Sequence, residues 1–214
     1  MTDTYSWRGG NELWLRYGIN YPLQIIIIEP LFEEKNRCRR LLSSVMRGLA
    51  NNGIGSVLPD LPGTGESLLD ISAVSFDDWQ DALKAVVDAI KPEVVASLRG
   101  GALLDGAVAA KGCWRFAPET GARIARDLRR TRLSGSALYA GHAISDSFLN
   151  ALESAIPCPL VPLRTLRLES DAGDADTRVA GTPLWRRAEP GDDPELAAKL
   201  VADLTDWVKQ CADC

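Results

Sequence analysis

The run Leu23-Gln24-Ile25-Ile26-Ile27-Ile28 constrains the fold more than any other stretch of the chain. It is rich in β-branched residues, which suit a strand, and it lacks apolar–polar alternation. A strand that is apolar on both sides has both faces covered, and such strands belong to parallel sheets with helices above and below. A first covering helix follows directly: Leu41, Leu42, Val45, Met46 and Leu49 recur at helical spacing, and Asn51-Asn52-Gly53 closes it. Residues 54–58 read as a second strand, ended by Pro59. Ser75-Phe76-Asp77-Asp78 has the form of a capping box, ahead of an apolar stripe of Trp79, Leu83, Val86, Val87 and Ile90. Lys91-Pro92 stops that helix, residues 93–97 read as a third strand, and the small-residue-rich stretch 100–110 reads as a helix.

Two strand–helix–strand units in succession imply right-handed crossovers and a mostly parallel sheet with helices on both faces, an α/β fold. The rhythm changes at Trp114. Residues 119–132 read as an arginine-rich helix and 145–155 as another; residues 163–168 and 182–187 then return as strands. Asp193-Pro194 opens a last helix whose core face is Leu196, Leu200, Leu204, Trp207 and Val208. With no internal repeat and no low-complexity linker, residues 1–214 form one domain with an excursion at about 119–155.

Composition bounds the function. Hydrophobic residues make up 46% of 214, and the formal net charge is −5, ordinary values for a soluble globular chain. At this length roughly 70% of the unfolded surface can be buried, so the core needs neither metal nor disulfide. His142 is the single histidine, which excludes imidazole-rich zinc sites and leaves any histidine-dependent triad one candidate base. Neither a metal nor a cofactor is expected. The five cysteines are an odd, scattered set, which points to reduced thiols and a cytoplasmic location; the Cys211-Ala212-Asp213-Cys214 pair reads as a frayed tail. No apolar run approaches the ~20 residues of a membrane span, and the first residues lack the basic start and apolar stretch of a secretory signal. The acidic total argues against nucleic acid as partner. Within 113–140, however, six arginines face two acids, which is either a solvated helix face or a surface for a partner.

Gly63-Thr64-Gly65-Glu66-Ser67 fails as a phosphate loop, because Glu66 stands where the phosphate-binding lysine belongs. It fails as a dinucleotide fingerprint too, with Leu68 in place of the third glycine. In its wider context, Pro59-Asp60-Leu61-Pro62-Gly63-Thr64-Gly65-Glu66-Ser67 after a buried strand resembles the D-x-x-G-x-G-x-S turn of the α/β-hydrolase superfamily. Glu29-Pro30-Leu31-Phe32-Glu33-Glu34-Lys35-Asn36-Arg37-Cys38-Arg39-Arg40 sits where that fold places its oxyanion loop and next helix. This run looks most like the exosortase A system-associated hydrolases, bacterial proteins linked to exopolysaccharide and protein-sorting gene clusters. The resemblance extends from about Leu23 to Trp207 and implies an α/β-hydrolase fold in which residues 119–155 form a small helical cap.

The resemblance also implies a serine on a sharp turn after the third strand, an acid after a later strand and a histidine near the end. In Ser97-Leu98-Arg99-Gly100-Gly101 the small-x-nucleophile-x-small pattern puts Arg99 at the nucleophile position. A guanidinium stays protonated and cannot attack. Glu169 or Asp171 fits the acid position, and no histidine follows the last strand. Three readings stay open. In the first, the cleft around Arg99, Gly100, Leu31, Phe32, Glu33 and Glu34 binds an anionic small molecule or a glycan- or lipid-linked intermediate, unless Glu33 or Glu34 closes it as an ion pair. In the second, Ser97 or Cys113 works with His142 as an unorthodox ester or thioester hydrolase. In the third, the arginine face at 123–132 is an interaction scaffold.

Overall fold

The computed structural model describes residues 2–132 and 138–213. Strand β1 (Thr2–Trp7) and β2 (Gly10–Tyr17) form a hairpin ahead of the isoleucine run, which is β3 (Leu23–Ile28). β4 (Ile54–Pro59), β5 (Val94–Leu98), β6 (Gly112–Phe116), β7 (Leu163–Leu168) and β8 (Thr177–Val179) complete one eight-stranded sheet of order β1-β2-β4-β3-β5-β6-β7-β8. Only the β1–β2 and β2–β4 pairs are antiparallel.

The four isoleucines of β3 show why the run does not alternate. Ile25 and Ile27 enter one core, Ile26 and Ile28 the other, and all are buried. Helices α1 (Glu33–Asn51) and α5 (Pro194–Ala212) close the first core, with Leu41, Met46, Leu49, Leu200 and Leu204 packed on the sheet. On the opposite face lies α2 (Phe76–Ile90), whose capping box forms as read: Ser75 Oγ accepts from the Asp78 amide while Asp78 accepts from the Ser75 amide. Trp79 is fully buried there, its indole donating to the Pro62 carbonyl at 2.8 Å and meeting the Phe148 ring edge-on. The excursion after β6 holds α3 (Gly121–Thr131) and α4 (Asp146–Ser154). These cross so closely that a Cβ on Gly121 would stand 1.7 Å from the Leu152 carbonyl oxygen. Among the described residues no helix is long and apolar enough to cross a membrane.

Three local expectations are corrected. Residues 100–110 are not a helix but two short 3-10 turns, Arg99–Leu103 and Asp105–Ala107. Paired glycines weaken a helix start, and Asp105 is drawn inward by Ser97 and Arg115, which breaks the helical path. The last strand is Thr177–Val179 rather than 182–187, because Gly181 and Pro183 interrupt the chain before a 3-10 turn at Leu184–Arg186. The tail does not fray at Cys211. It is buried in α5 against Gly112, whose added Cβ would lie 2.4 Å from its sulfur. Cys214 lies outside the described residues.

Candidate functional site

β5 sits mid-sheet and delivers its C-terminal end to the middle of the molecule, the place where α/β sheets open a crevice. The residue after it, Arg99, has φ 52°, a left-handed conformation costly for a side-chain-bearing residue. The turn is tight because Gly101 allows it: a Cβ there would lie 2.6 Å from the carbonyl oxygens of Ile28 and Glu29. Gly100, expected at the site, is sealed behind it. Its Cβ would meet Ile124 of α3 at 2.6 Å and Leu31 at 3.1 Å.

The guanidinium of Arg99 is buried, and each of its three nitrogens donates to a partner. Nε and Nη2 donate to the two carboxylate oxygens of Glu34, each at 3.1 Å. Nη1 donates to the Ala117 carbonyl at 3.1 Å, and Nη2 also reaches Glu119 at 3.4 Å. Its plane lies over the Trp185 ring, 4.7 Å from the centroid. The fork onto Glu34 and the stacking on Trp185 are uses of an arginine that lysine could not reproduce.

In front of Arg99 is a cleft of about 320 Å³. Leu31, Phe32, Ile124 and Leu128 give it apolar walls, and α3 of the excursion forms one side. Strain gathers here. Phe32 (φ 55°), Arg99 and Ala140 (φ 50°) line the cleft, and Ala117 (φ 48°) accepts from Arg99. Left-handed non-glycine residues persist where the surroundings over-determine them, and they cluster at functional sites.

The lining carries four acids and four arginines, yet they are not equally engaged. Glu34 and Glu119 hold Arg99, Glu119 also meets Arg123 at 3.3 Å, and Asp127 meets Arg130 at 3.5 Å. Glu33 faces His142 Nε2 at 3.5 Å. Arg186 meets Asp171 at 3.4 Å. Arg37 alone among the four arginines pairs with no carboxylate among the described residues; its Nη1 donates to the Trp185 carbonyl.

Leu31, Phe32, Glu33, Glu34 and Arg99 thus come together as read from the sequence. Ser97 and Cys113 do not join them. Both point from the sheet into the buried core beside α2, where Ser97 Oγ donates to Asp105 at 2.8 Å and the Cys113 thiol meets the same carboxylate at 3.5 Å. Arg115 holds Asp105 from the other side in a fork with both bonds at 2.8 Å. Burial, reinforced by the Asp105 charge, pushes the Cys113 thiol far up, so it carries no thiolate. His142 stands instead on a turn of the excursion, its ring packed on Phe32, with no bond to Ser97 or Cys113 among the described residues. Glu169 is exposed, whereas the Asp171 side chain is buried and turned to Arg186.

Sequence reasoning missed Arg37, Glu119, Trp185 and Arg186. Arg37 was within reach, since it lies one helical turn from Glu33 and Glu34 on α1. The other three arrive from loops after β6 and β8 and carry no local signal. Of the arginine face at 123–132, Arg123, Arg129 and Arg130 are paired to Glu119, Glu153 and Asp127, and Arg132 lies over the Tyr139 ring. Among the described residues no group of His, Cys, Asp and Glu is placed to hold a metal ion.

The chain matches no protein-family model, and no curated protein matches it in sequence. Solved structures do match in shape. A thermophilic esterase from Thermogutta terrifontis, solved with malate bound, is 13% identical with a TM-score of 0.65 over 99% of each chain. The mouse α/β-hydrolase domain-containing protein 10 is 14% identical with a TM-score of 0.66, covering 98% of this chain and 99% of its own. Est1E from Butyrivibrio proteoclasticus, solved with ferulic acid bound, is 16% identical with a TM-score of 0.52 over 78% of this chain and 77% of its own. The chain has the α/β-hydrolase fold.

Proposed function

We propose that this chain is a non-hydrolytic binding protein on the α/β-hydrolase fold, and that the cleft before Arg99 takes a small anionic molecule. The observation that carries the reading is the identity of three residues. The turn after β5 presents Arg99, the acid after β7 is Asp171, and the side chain that meets this acid from beyond β8 is Arg186. Where the fold's chemistry needs a nucleophile, an acid and a base, this chain supplies an arginine, a carboxylate and a second arginine. Neither arginine can give up a proton at neutral pH, so neither can attack a carbonyl or activate water.

Pairing within the lining supports an anion rather than a cation as ligand. Three of its four acids are paired to arginines and Glu33 faces only His142, while Arg37 has only a carbonyl, and Arg123 and Arg186, each paired to one acid, are half-exposed at the mouth. Arg99 is a pillar of the floor on this reading, and Arg37, Arg123 and Arg186 do the recognition. The apolar walls suit a ligand with a sugar ring or an acyl segment behind its charge. The run Glu29–Arg40 further supports kinship with the exosortase A system-associated hydrolases. The ligand would then be a glycan- or lipid-linked intermediate, met in the cytoplasm by one domain whose cap spans about 119–155.

Calorimetric titration with glucose 1-phosphate and with malate, beside p-nitrophenyl acetate turnover, tests this. We expect saturable binding of at least one anion, weakened about tenfold or more by Arg37→Ala, in line with loss of a charged hydrogen bond. We also expect ester turnover no faster than buffer. Saturable ester turnover that disappears in His142→Ala, or anion binding indifferent to both Arg37→Ala and Arg186→Ala, overturns the proposal.

A further inference from the structure

The run that supplies Glu33, Glu34 and Arg37 to the first cleft leaves Glu29, Lys35, Arg39 and Arg40 unused. Helical geometry explains the division: residues 33, 34 and 37 share one side of α1, while 35, 39 and 42 follow each other along another. That second side borders a separate cleft of about 440 Å³ between α1 and the β2–β4 edge of the sheet. Its volume lies within the roughly 300–1,000 Å³ of small-molecule sites.

The cleft has a polar floor, an apolar wall and a rim that carries Arg39 and Arg40 beside the exposed Glu66. On the floor Lys35 Nζ lies 2.6 Å from Glu29 and 2.7 Å from Asp60, leaving one of its three N–H groups without a partner among the described residues. Asp60 is fixed in turn by the glycine-rich loop, where its Oδ2 accepts from the Glu66 amide and a Cβ on Gly65 would strike its carboxylate. Leu13 and Leu15 of β2, with Leu58 of β4, stay half-buried along the wall, so apolar surface faces the cleft. At the rim, the guanidinium groups of Arg39 and Arg40 are exposed and form no ion pair among the described residues.

We infer that this cleft is a second ligand site, for an amphipathic anion with a carboxylate or phosphate head on Arg39 and Arg40 and an alkyl chain along Leu13, Leu15 and Leu58. Arg39 and Arg40 supply charge that no protein carboxylate satisfies. The leucines supply apolar surface that an alkyl chain would cover. The site is independent of the first cleft, and its existence does not depend on whether the chain hydrolyses esters.

Calorimetric titration of the full chain with dodecanoate tests it, with dodecyltrimethylammonium as the charge-reversed control and inorganic phosphate as the head alone. Dodecanoate should bind with a Kd well below about 1 mM. The Arg39→Gln/Arg40→Gln double variant should weaken it about tenfold or more, and Leu58→Trp, which fills the cleft, should abolish it. All titrations are run in an Arg37→Ala background, which removes a recognition arginine of the first cleft, and dodecanoate binding should persist there. The double variant changes two exposed residues and should fold normally, so it remains decisive if Leu58→Trp does not fold. Equal binding of the cationic detergent, indifference to the double variant, or loss of binding in Arg37→Ala overturns the inference. So does an absence of dodecanoate binding up to about 1 mM.

Discussion

Replacing Arg99 with leucine separates a structural cation from a ligand-gripping one. The variant keeps a side chain in the left-handed turn, so the backbone strain at φ 52° stays and cancels in the comparison. What changes is charge. Glu34 and Glu119, whose side chains are only 26% and 12% exposed, lose the guanidinium that pairs with both, and Glu119 keeps Arg123 as its remaining cation. Removing one partner of a buried pair costs about 3–5 kcal/mol, and the lost stacking on Trp185 adds about 1 kcal/mol. Leucine recovers part of this by burying its own carbons, so a net loss near 4 kcal/mol is expected. For a chain of 214 residues, each kcal/mol moves Tm by about 2–4 °C, which predicts a fall of roughly 12 °C. The companion variant Arg99→Leu/Glu34→Gln/Glu119→Gln removes the orphaned charges as well and should regain about 2 kcal/mol of that loss. Scanning calorimetry and urea midpoints on the parent, the single and the triple variant decide. If Arg99→Leu melts within about 2 °C of the parent, or the triple variant is less stable than the single, Arg99 is not held by its acids and the account of the cleft floor fails.

Three further outcomes follow from the same structure. Asp105→Asn leaves Arg115 buried without its fork and should cost about 3–5 kcal/mol by urea denaturation; a loss under about 1 kcal/mol would mean the network is dispensable. Trp79→Ala removes a fully buried indole, its bond to the Pro62 carbonyl and its edge contact with Phe148, for about 3–5 kcal/mol; a smaller cost in calorimetry would place Trp79 in a poorly packed region. Burial pushes the Glu29 carboxyl from 4.5 up to about 7 against the pull of Lys35. The folded state therefore holds a proton that the unfolded state has lost between these values. This one group then erodes stability as pH rises from 4.5 to 7, with the full cost present above 7. Urea midpoints from pH 4 to pH 8 should thus fall more steeply in the parent than in Glu29→Gln, and a steeper fall in the variant would show that the ion pair with Lys35 outweighs burial.

The sheet was legible because its strands carry their environment in their composition. The isoleucines of β3 name a strand covered on both sides, and the capping box at Ser75 names a helix start; both are local statements that the tertiary structure had no reason to override. The hairpin β1–β2 was not legible. Thr2–Trp7 is an edge strand with polar residues on most positions, and its partner buries only Glu12 and Trp14. The missing helix after β5 has a different cause. Residues 100–110 are rich in small apolar residues, but paired glycines weaken the helix start and Asp105 is bonded in the core to Ser97 and Arg115, which no local pattern announces.

The site divides along the same line, and the division bears on function. Glu33, Glu34 and Arg99 could be placed from sequence because a strand end and a helix start fix them. Glu119, Asp171, Trp185 and Arg186 come from three loops that meet only when the sheet is assembled. These loop residues set the chemistry. Glu34, from the helix start, forks Arg99, and the loops add Glu119 as a second carboxylate and Trp185 as a stacking face. The proposal that Arg37, Arg123 and Arg186 do the recognition therefore rests on contacts outside any motif. On the proposed reading, a hydrolase fold keeps its strands, its strained turn and its acid after β7, while the residues its loops bring to them serve binding instead.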